Sequence, residues 1–182
     1  MWPYIIIVVI VLIVLLTLIT YNKFVKSKTR VEEAFSTMDV YLKKRWDLIP
    51  NIVEIVKGYA KHERETLEEI VNLRKKTYDN MTTNDKVDVN NTISEDIVKL
   101  MAIAEAYPEL KASDNFKDLS KQLTIIEDEI ANSRKYYNGT VRLYNNMVQM
   151  FPSNIVACIF GYKAKKMFEA NKEERENVKV NL

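Results

Sequence analysis

No charged side chain occurs between Met1 and Asn22, and Ile5 to Ile19 is almost wholly isoleucine, valine and leucine. As a helix, Trp2 to Tyr21 rises roughly 29 Å at 1.5 Å per residue, which matches the ~30 Å hydrocarbon core of a bilayer. Trp2 and Tyr4 at one end and Tyr21 at the other suit the two interfaces. Residues 1–22 therefore predict a transmembrane anchor, and whatever follows must fold while tethered to a membrane. The competing reading is a cleaved signal peptide. It lacks its marks here: a basic n-region, an Ala-x-Ala-like site and a cysteine nearby for lipid attachment are all missing.

Lys23, Lys26, Lys28 and Arg30 follow the apolar run directly, and no lysine or arginine precedes it. By the positive-inside rule this asymmetry predicts a single-pass protein of the cell membrane with its N-terminus outside and its body cytoplasmic. The same four bases explain the formal net charge of +2, since Val31 to Leu182 carries 23 bases against 25 acids. A nearly neutral body argues against nucleic acid as a partner, because a basic face is what displaces counterions. One cysteine, Cys158, rules out an internal disulfide, and the single His62 belongs to no metal-ligand cluster.

Beyond the anchor, three glycines, four prolines and 29% charged residues fit helices better than strands. In Val31 to Ala60, Phe35, Leu42, Ile49 and Val56 form one heptad column; Val31, Met38, Ile52 and Tyr59 form another, which Arg45 interrupts. The first helix is expected to continue from the anchor to about Lys61, with a kink at Pro50. A second helix is expected over about Glu63 to Tyr78, with Leu67, Ile70, Val71 and Arg74 on its faces. The run from about Asp79 to Asn91 is rich in Asn, Asp and Thr and reads as a loop. A third helix follows over about Thr92 to Tyr107, ended by Pro108, and Ser113 can cap the fourth. That fourth helix has the column Phe116, Leu123, Ile130, Tyr137, Tyr144 and Phe151, and Pro152 closes it. The fold class is thus all-α: the anchor, then an antiparallel bundle of about four helices over 23–152, then a tail at 153–182 that packs on the bundle or the membrane surface.

Short loops make successive helices antiparallel, which sets Lys61 opposite Asp114, Val25 opposite Met150, and Arg45 opposite residue 130. Arg45 has two readings. Its guanidinium can leave the seam for water, or it is buried and must face a carboxylate. The second predicts an ion pair of Arg45 with Glu127, one turn away, and of Asp47 with Arg134; such pairs fix register more reliably than they add stability. His62 reads as an exposed turn residue, and Cys158 as a small buried apolar side chain. Tyr137 and Tyr144 belong to a seam in which Asn138 and Asn145 can hydrogen-bond across helices. In the tail, Ile155, Val156, Ile159, Phe160, Tyr162 and Phe168 alternate with Lys163, Lys165 and Lys166; they either cover the lower bundle or suit an anionic leaflet.

The runs YNKFVKSKTRVEEAF, MDVYLKKRWDLIPNIVEIVKGYAKHE, EAYPELKASDNFKDL, LTIIEDEIANSRKYYNGTVRLYNN and FPSNIVACIFGYKAKKMFEA together resemble the LemA family of bacterial membrane proteins. The resemblance covers nearly the whole chain after the anchor. It implies one N-terminal membrane helix and an antiparallel helical bundle, in a family that includes a magnetosome membrane component, and it implies no catalytic residue, cofactor or substrate. The Asn-rich stretch at 79–91 departs from the alanine-rich segment associated with the family. Two functions stand beside each other. One is a membrane-bound scaffold, with the lipid bilayer and a protein partner or a second copy as its contacts and no small-molecule substrate. The other is a carboxylate- or metal-dependent enzyme built on Glu54, Glu127 and Asp128. The chain lacks the Gly-rich loops, histidine clusters and nucleophile settings of catalysis, which favours the first.

Overall fold

The computed structural model describes residues 1–72 and 78–168, apart from the side chains of Arg64 and Asn91. Its elements are α1 (Trp2–Tyr59), α2 (Arg64–Asn72), a 3-10 turn (Tyr78–Asn80), α3 (Thr83–Ala106), α4 (Pro108–Ala112), α5 (Asp114–Gln149) and α6 (Ser153–Phe160). No strand occurs among the described residues, so the chain is all-α.

The 58 residues of α1 contain one breaker, Pro50, and the helix passes through it. Proline there removes one N–H and leaves the Trp46 carbonyl without its helical donor, a local loss that the apolar turns on both sides outweigh. The apolar run of α1 meets the length and hydropathy of a membrane span, and none of that window is buried against the rest of the chain. Ile5 and Ile19 are 59% and 52% exposed, so this segment has no protein core of its own.

The expected loop at 79–91 is corrected by the structure. Thr82 caps α3: its side chain accepts from the Asp85 N–H while the Asp85 carboxylate accepts from the Thr82 N–H, a closed capping box. Asn and Asp residues that favour turns are thereby held in helix, and α3 begins nine residues before the expected Thr92. Pro108 stands at the first turn of α4, where a missing N–H costs nothing. Arg74 and the expected end of the second helix lie partly outside the described residues, as does the tail from 169 to 182.

The described residues divide into two compact units, one of residues 1–37 and 133–167, the other of 38–72, 78–132 and Phe168. In the first unit α1 and α5 run antiparallel, for Phe24 meets Tyr144 edge-on at 6.2 Å and Phe35 meets Tyr137 at 5.7 Å. Its core is Phe24, Val31, Ala34, Tyr137, Val141 and Tyr144, closed by Val156 and Ala157 of α6. A Schellman motif ends α6: the Gly161 N–H donates to Cys158, and the Tyr162 N–H to Ala157. Gly161 takes φ 71°, which a side chain would oppose, and the reversal lays Tyr162 flat on Phe24 with ring centroids 4.6 Å apart. The second unit buries Met38, Leu42, Ile49, Ile52, Val53 and Val56 of α1 against Leu67, Val87, Leu100, Leu110, Phe116, Leu123 and Ile130.

Three sequence expectations fail near the ends of these columns. Tyr59, the last residue of α1, is 44% exposed. Phe151 is 79% exposed, because α5 stops at Gln149 before the heptad column reaches it. Cys158 is exposed, not buried: α6 turns Val156 and Ala157 inward, and Cys158 falls on the other side with Ile155 and Ile159.

Candidate functional site

Arg45 is the largest fully buried side chain of the second unit, at 0% exposure. Its Nη1 donates to both Glu127 carboxylate oxygens, at 2.9 and 3.0 Å, and to Ser94 Oγ at 3.1 Å. Its Nη2 donates to the Asn90 carbonyl at 3.1 Å, and the Ser94 hydroxyl donates to that same carbonyl. One guanidinium thus ties α1 to α3 and α5. Burial would make an unpaired cation costly by several kcal/mol, and the planar donor fork of arginine is what lets a single side chain serve three helices.

The structure brings Arg45 and Glu127 together as the buried reading of Arg45 requires. Asp47 is half exposed and accepts from Lys43 Nζ of its own helix at 2.6 and 2.7 Å. Arg134 belongs to the other unit and is partly buried.

A second tie lies two turns earlier on α1. Asp39 accepts from Tyr78 Oη at 2.6 Å with one oxygen and from Lys86 Nζ at 2.6 Å with the other. The Lys86 ammonium also stands over the Tyr78 ring at 4.5 Å, and Trp46 packs against that ring at 5.4 Å. Burial, and then the hydrogen bond to the Asp39 carboxylate, push the Tyr78 phenol well above the usual tyrosine range. Sequence reasoning missed this group. Asp39 and Lys86 are 47 residues apart, and Lys86 lies in the stretch whose composition reads as a loop.

Two further buried polar groups stand on α3. Asp96, 3% exposed, has one carboxylate oxygen on Lys99 Nζ at 3.2 Å and the other without a hydrogen-bond partner among the described residues. That hydrogen bond raises the affinity of Lys99 for its proton. Asn90 donates to the Lys86 carbonyl, while its side-chain oxygen is unpartnered among the described residues.

The carboxylates named for catalysis are spread apart in role. Glu54 is exposed and pairs with Lys57, Glu127 is taken up by Arg45, and Asp128 is exposed. No group of three or more His, Cys, Asp or Glu side chains among the described residues is arranged to hold a metal. His62 is exposed in the turn between α1 and α2. Near it a shallow cavity of about 370 Å³ is lined by Lys57, Ala60, Lys61, Leu67 and Glu68.

In the first unit Lys23, Lys26, Lys28 and Arg30 are all exposed. Lys28 approaches Glu32 at 3.9 Å, and Lys165 approaches the same carboxylate at 3.7 Å. Asn145 makes its bonds to the extended segment after α6 and not to a helix: it donates to the Lys165 carbonyl at 2.9 Å and accepts from the Lys165 N–H at 2.8 Å. Tyr137 Oη donates to the Lys166 carbonyl at 3.1 Å. The peptide backbone at 165–166 is thereby fixed from α5, and the lysine side chains at 163 and 166 face solvent.

A family profile described as the LemA family matches residues 34–182. Protein LemA of Metamycoplasma hominis is 26% identical over 158 residues, which is 86% of this chain and 72% of that protein. Magnetosome protein MamQ 2 of Paramagnetospirillum magneticum is 35% identical over 71 residues, or 39% of this chain and 26% of that protein. Magnetosome protein MamQ of Magnetospirillum gryphiswaldense is 34% identical over 70 residues, 38% of this chain and again 26% of the relative. The chain thus spans only about a quarter of the magnetosome proteins it matches.

Proposed function

Since the chain belongs to the LemA family, we propose that it is a membrane-anchored helical interaction protein, whose single anchor holds the body at the cytoplasmic face of a bacterial membrane. The observation that carries this reading is the uncovered apolar run of α1. A helix with an exposed isoleucine and valine surface on every side finds its favourable solvent in hydrocarbon, where its backbone bonds are satisfied within the helix. The exposed bases Lys23, Lys26, Lys28 and Arg30 follow at the end where cytoplasmic flanks carry lysine and arginine.

The body acts by contact and not by catalysis. Arg45 with Glu127, and Asp39 with Lys86, are engaged in tying helices. A protein partner or a second copy is the expected contact, with no metal, cofactor or small-molecule substrate. The relatives named as magnetosome proteins support a role beside a membrane, over the part of the chain that they share.

Orientation is tested with a cysteine at the exposed position 62, His62→Cys, in a Cys158→Ser background. An impermeant maleimide should leave it unmodified in intact cells and modify it once the membrane is opened. Modification in intact cells would place the body outside. Crosslinking in native membranes followed by affinity capture should trap an oligomer or a protein partner, and recovery of the bare monomer alone would count against an interaction role.

A further inference from the structure

The face of α6 that the first unit leaves open is apolar. Val156 and Ala157 are buried at 7% and 2%, while Ile155 and Ile159 are exposed at 52% and 68%, with Phe151 beside them just before the helix. Around a helix of 3.6 residues per turn, positions 155, 158 and 159 fall on one side. That side therefore carries Ile155, Ile159 and the exposed Cys158, and Phe151, 79% exposed, precedes the helix. Met150, 61% exposed, continues the patch at the end of α5. Large apolar groups collected this way on one surface mark a contact site.

The position of α6 on α1 says what the contact is. Phe160 packs on Tyr21 with ring centroids 4.8 Å apart, and Tyr162 stacks on Phe24. Tyr21 is the last aromatic of the uncharged run, and Lys23 begins the basic flank two residues later. So α6 sits beside α1 at the point where the chain passes from its apolar run to its basic one. Ile155 and Ile159 on its open side are exposed, as is the apolar run of the anchor that ends near Tyr21. From Met150 to Phe168 the chain has no acidic residue, and Lys163 and Lys166 are exposed immediately after α6, on the same unit as Lys23 and Lys26. A lipid surface with anionic headgroups complements both features, whereas a second copy would bring its own lysines against these.

We propose that α6 is an interfacial helix that lies in the boundary between headgroups and acyl chains, with its Ile155 and Ile159 face, and Phe151 just before it, in lipid and Lys163 and Lys166 at anionic headgroups. The inference rests on the reading of α1 as a membrane anchor. It makes α6 a second membrane contact, and it ties the lower end of α5 to the bilayer through the Phe151–Pro152 turn.

Cys158 is the single cysteine of the chain and lies on the proposed lipid face, so the full-length protein carries its own reporter site. A nitroxide at Cys158 is measured in vesicles of equal parts phosphatidylcholine and phosphatidylglycerol, for collisions with oxygen and with a water-soluble nickel chelate. Two further labels, Val11→Cys and His62→Cys, each in a Cys158→Ser background, report the anchor and the aqueous phase. The label at 158 should collide with nickel several-fold less than that at 62 and remain open to oxygen. Phe151→Glu, at a position too exposed to govern folding, should return part of the nickel contact. Nickel contact at 158 equal to that at 62, with the label at 11 in lipid, overturns the interfacial helix and leaves the anchor standing. A label at 11 open to nickel overturns the anchor, and the interfacial helix with it. Shielding of 158 from both reagents, with dipolar broadening between labels, would assign the face to a second copy and also overturn the lipid contact.

Discussion

The two units use the same helix, α1, and hold it by different chemistry. Residues 1–37 meet α5 and α6 through rings: Phe24 between Tyr144 and Tyr162, Phe35 on Tyr137, Tyr21 on Phe160. Residues 38–59 add to their apolar seam a set of charged ties, with the buried Arg45 on Glu127 of α5, and Asp39 on Lys86 of α3 and on Tyr78 of the 3-10 turn. Burial of rings is driven largely by the non-directional removal of apolar surface from water, so it tolerates small sliding. A buried guanidinium does not, since each donor must find its acceptor. Register is therefore specified more tightly where Arg45 is buried than where the rings meet.

This contrast is sharpened first by the largest substitutions. Phe24→Ala should cost about 3–5 kcal/mol, the usual range for an aromatic removed from a core, with little dependence on salt or pH. Glu127→Leu should cost about 3–5 kcal/mol, because it strands a buried cation; the partial exposure of Glu127 favours the lower end. Hydrogen exchange read by mass spectrometry on the full chain in detergent separates the two. The first variant should release α6 amides and spare α3, and the second should release α3 amides and spare α6. Equal loosening of both helices in either variant would erase the distinction.

Next in size is Tyr78→Phe, which removes a charge-assisted bond to Asp39 and should cost about 1.5–3 kcal/mol by denaturant unfolding. The pH dependence follows from the same group. Tyr78 has its folded pKa raised above the unfolded value, so its contribution is whole below the usual pKa near 10 and is lost as pH rises beyond that through the folded pKa. Exchange at α3 should therefore accelerate above about pH 10, and less so in the Phe variant. An alkaline response unchanged by Tyr78→Phe would remove this tyrosine from the account.

The smallest effect belongs to the aromatic unit. Asn145→Ala removes two bonds to the Lys165 backbone and should cost about 1–2 kcal/mol, near 1 kcal/mol for each bond. Its mark is faster exchange at residues 162–166, with α3 unaffected.

Much of this was legible because apolar periodicity is strong where helices are long. Leu42, Ile49, Val56, Met38 and Ile52 are buried as their columns require, and so are Phe116, Leu123, Ile130, Tyr137 and Tyr144. Arg45 stood out by breaking a column, and a constant antiparallel register brought Glu127 within a turn of it. The first nine residues of the third helix were hidden for the opposite reason. The buried positions there are Val87 and the polar Asn90, so the apolar signal is faint just where the composition favours turns. Thr82-x-x-Asp85 was the available sign, a capping box that marks a start without any apolar residue. Cys158 was misplaced because a helix as short as α6 has no repeating column to say which side is buried, and Phe151 because α5 stops at Gln149 before its column reaches that position. The pairing of Asp39 with Tyr78 and Lys86 left no local pattern at all, being made between residues far apart in sequence.

The claim that a buried charge sets the register of the second unit is tested most directly by a double-mutant cycle on Arg45→Met and Glu127→Leu, measured by denaturant unfolding of the full chain in detergent. Each single variant should be strongly destabilised. The double variant, which replaces both charges with hydrocarbon, should recover most of the loss and show a coupling of about 2–3 kcal/mol. Costs that add to within about 0.5 kcal/mol would mean that the two side chains act independently, and would contradict the account.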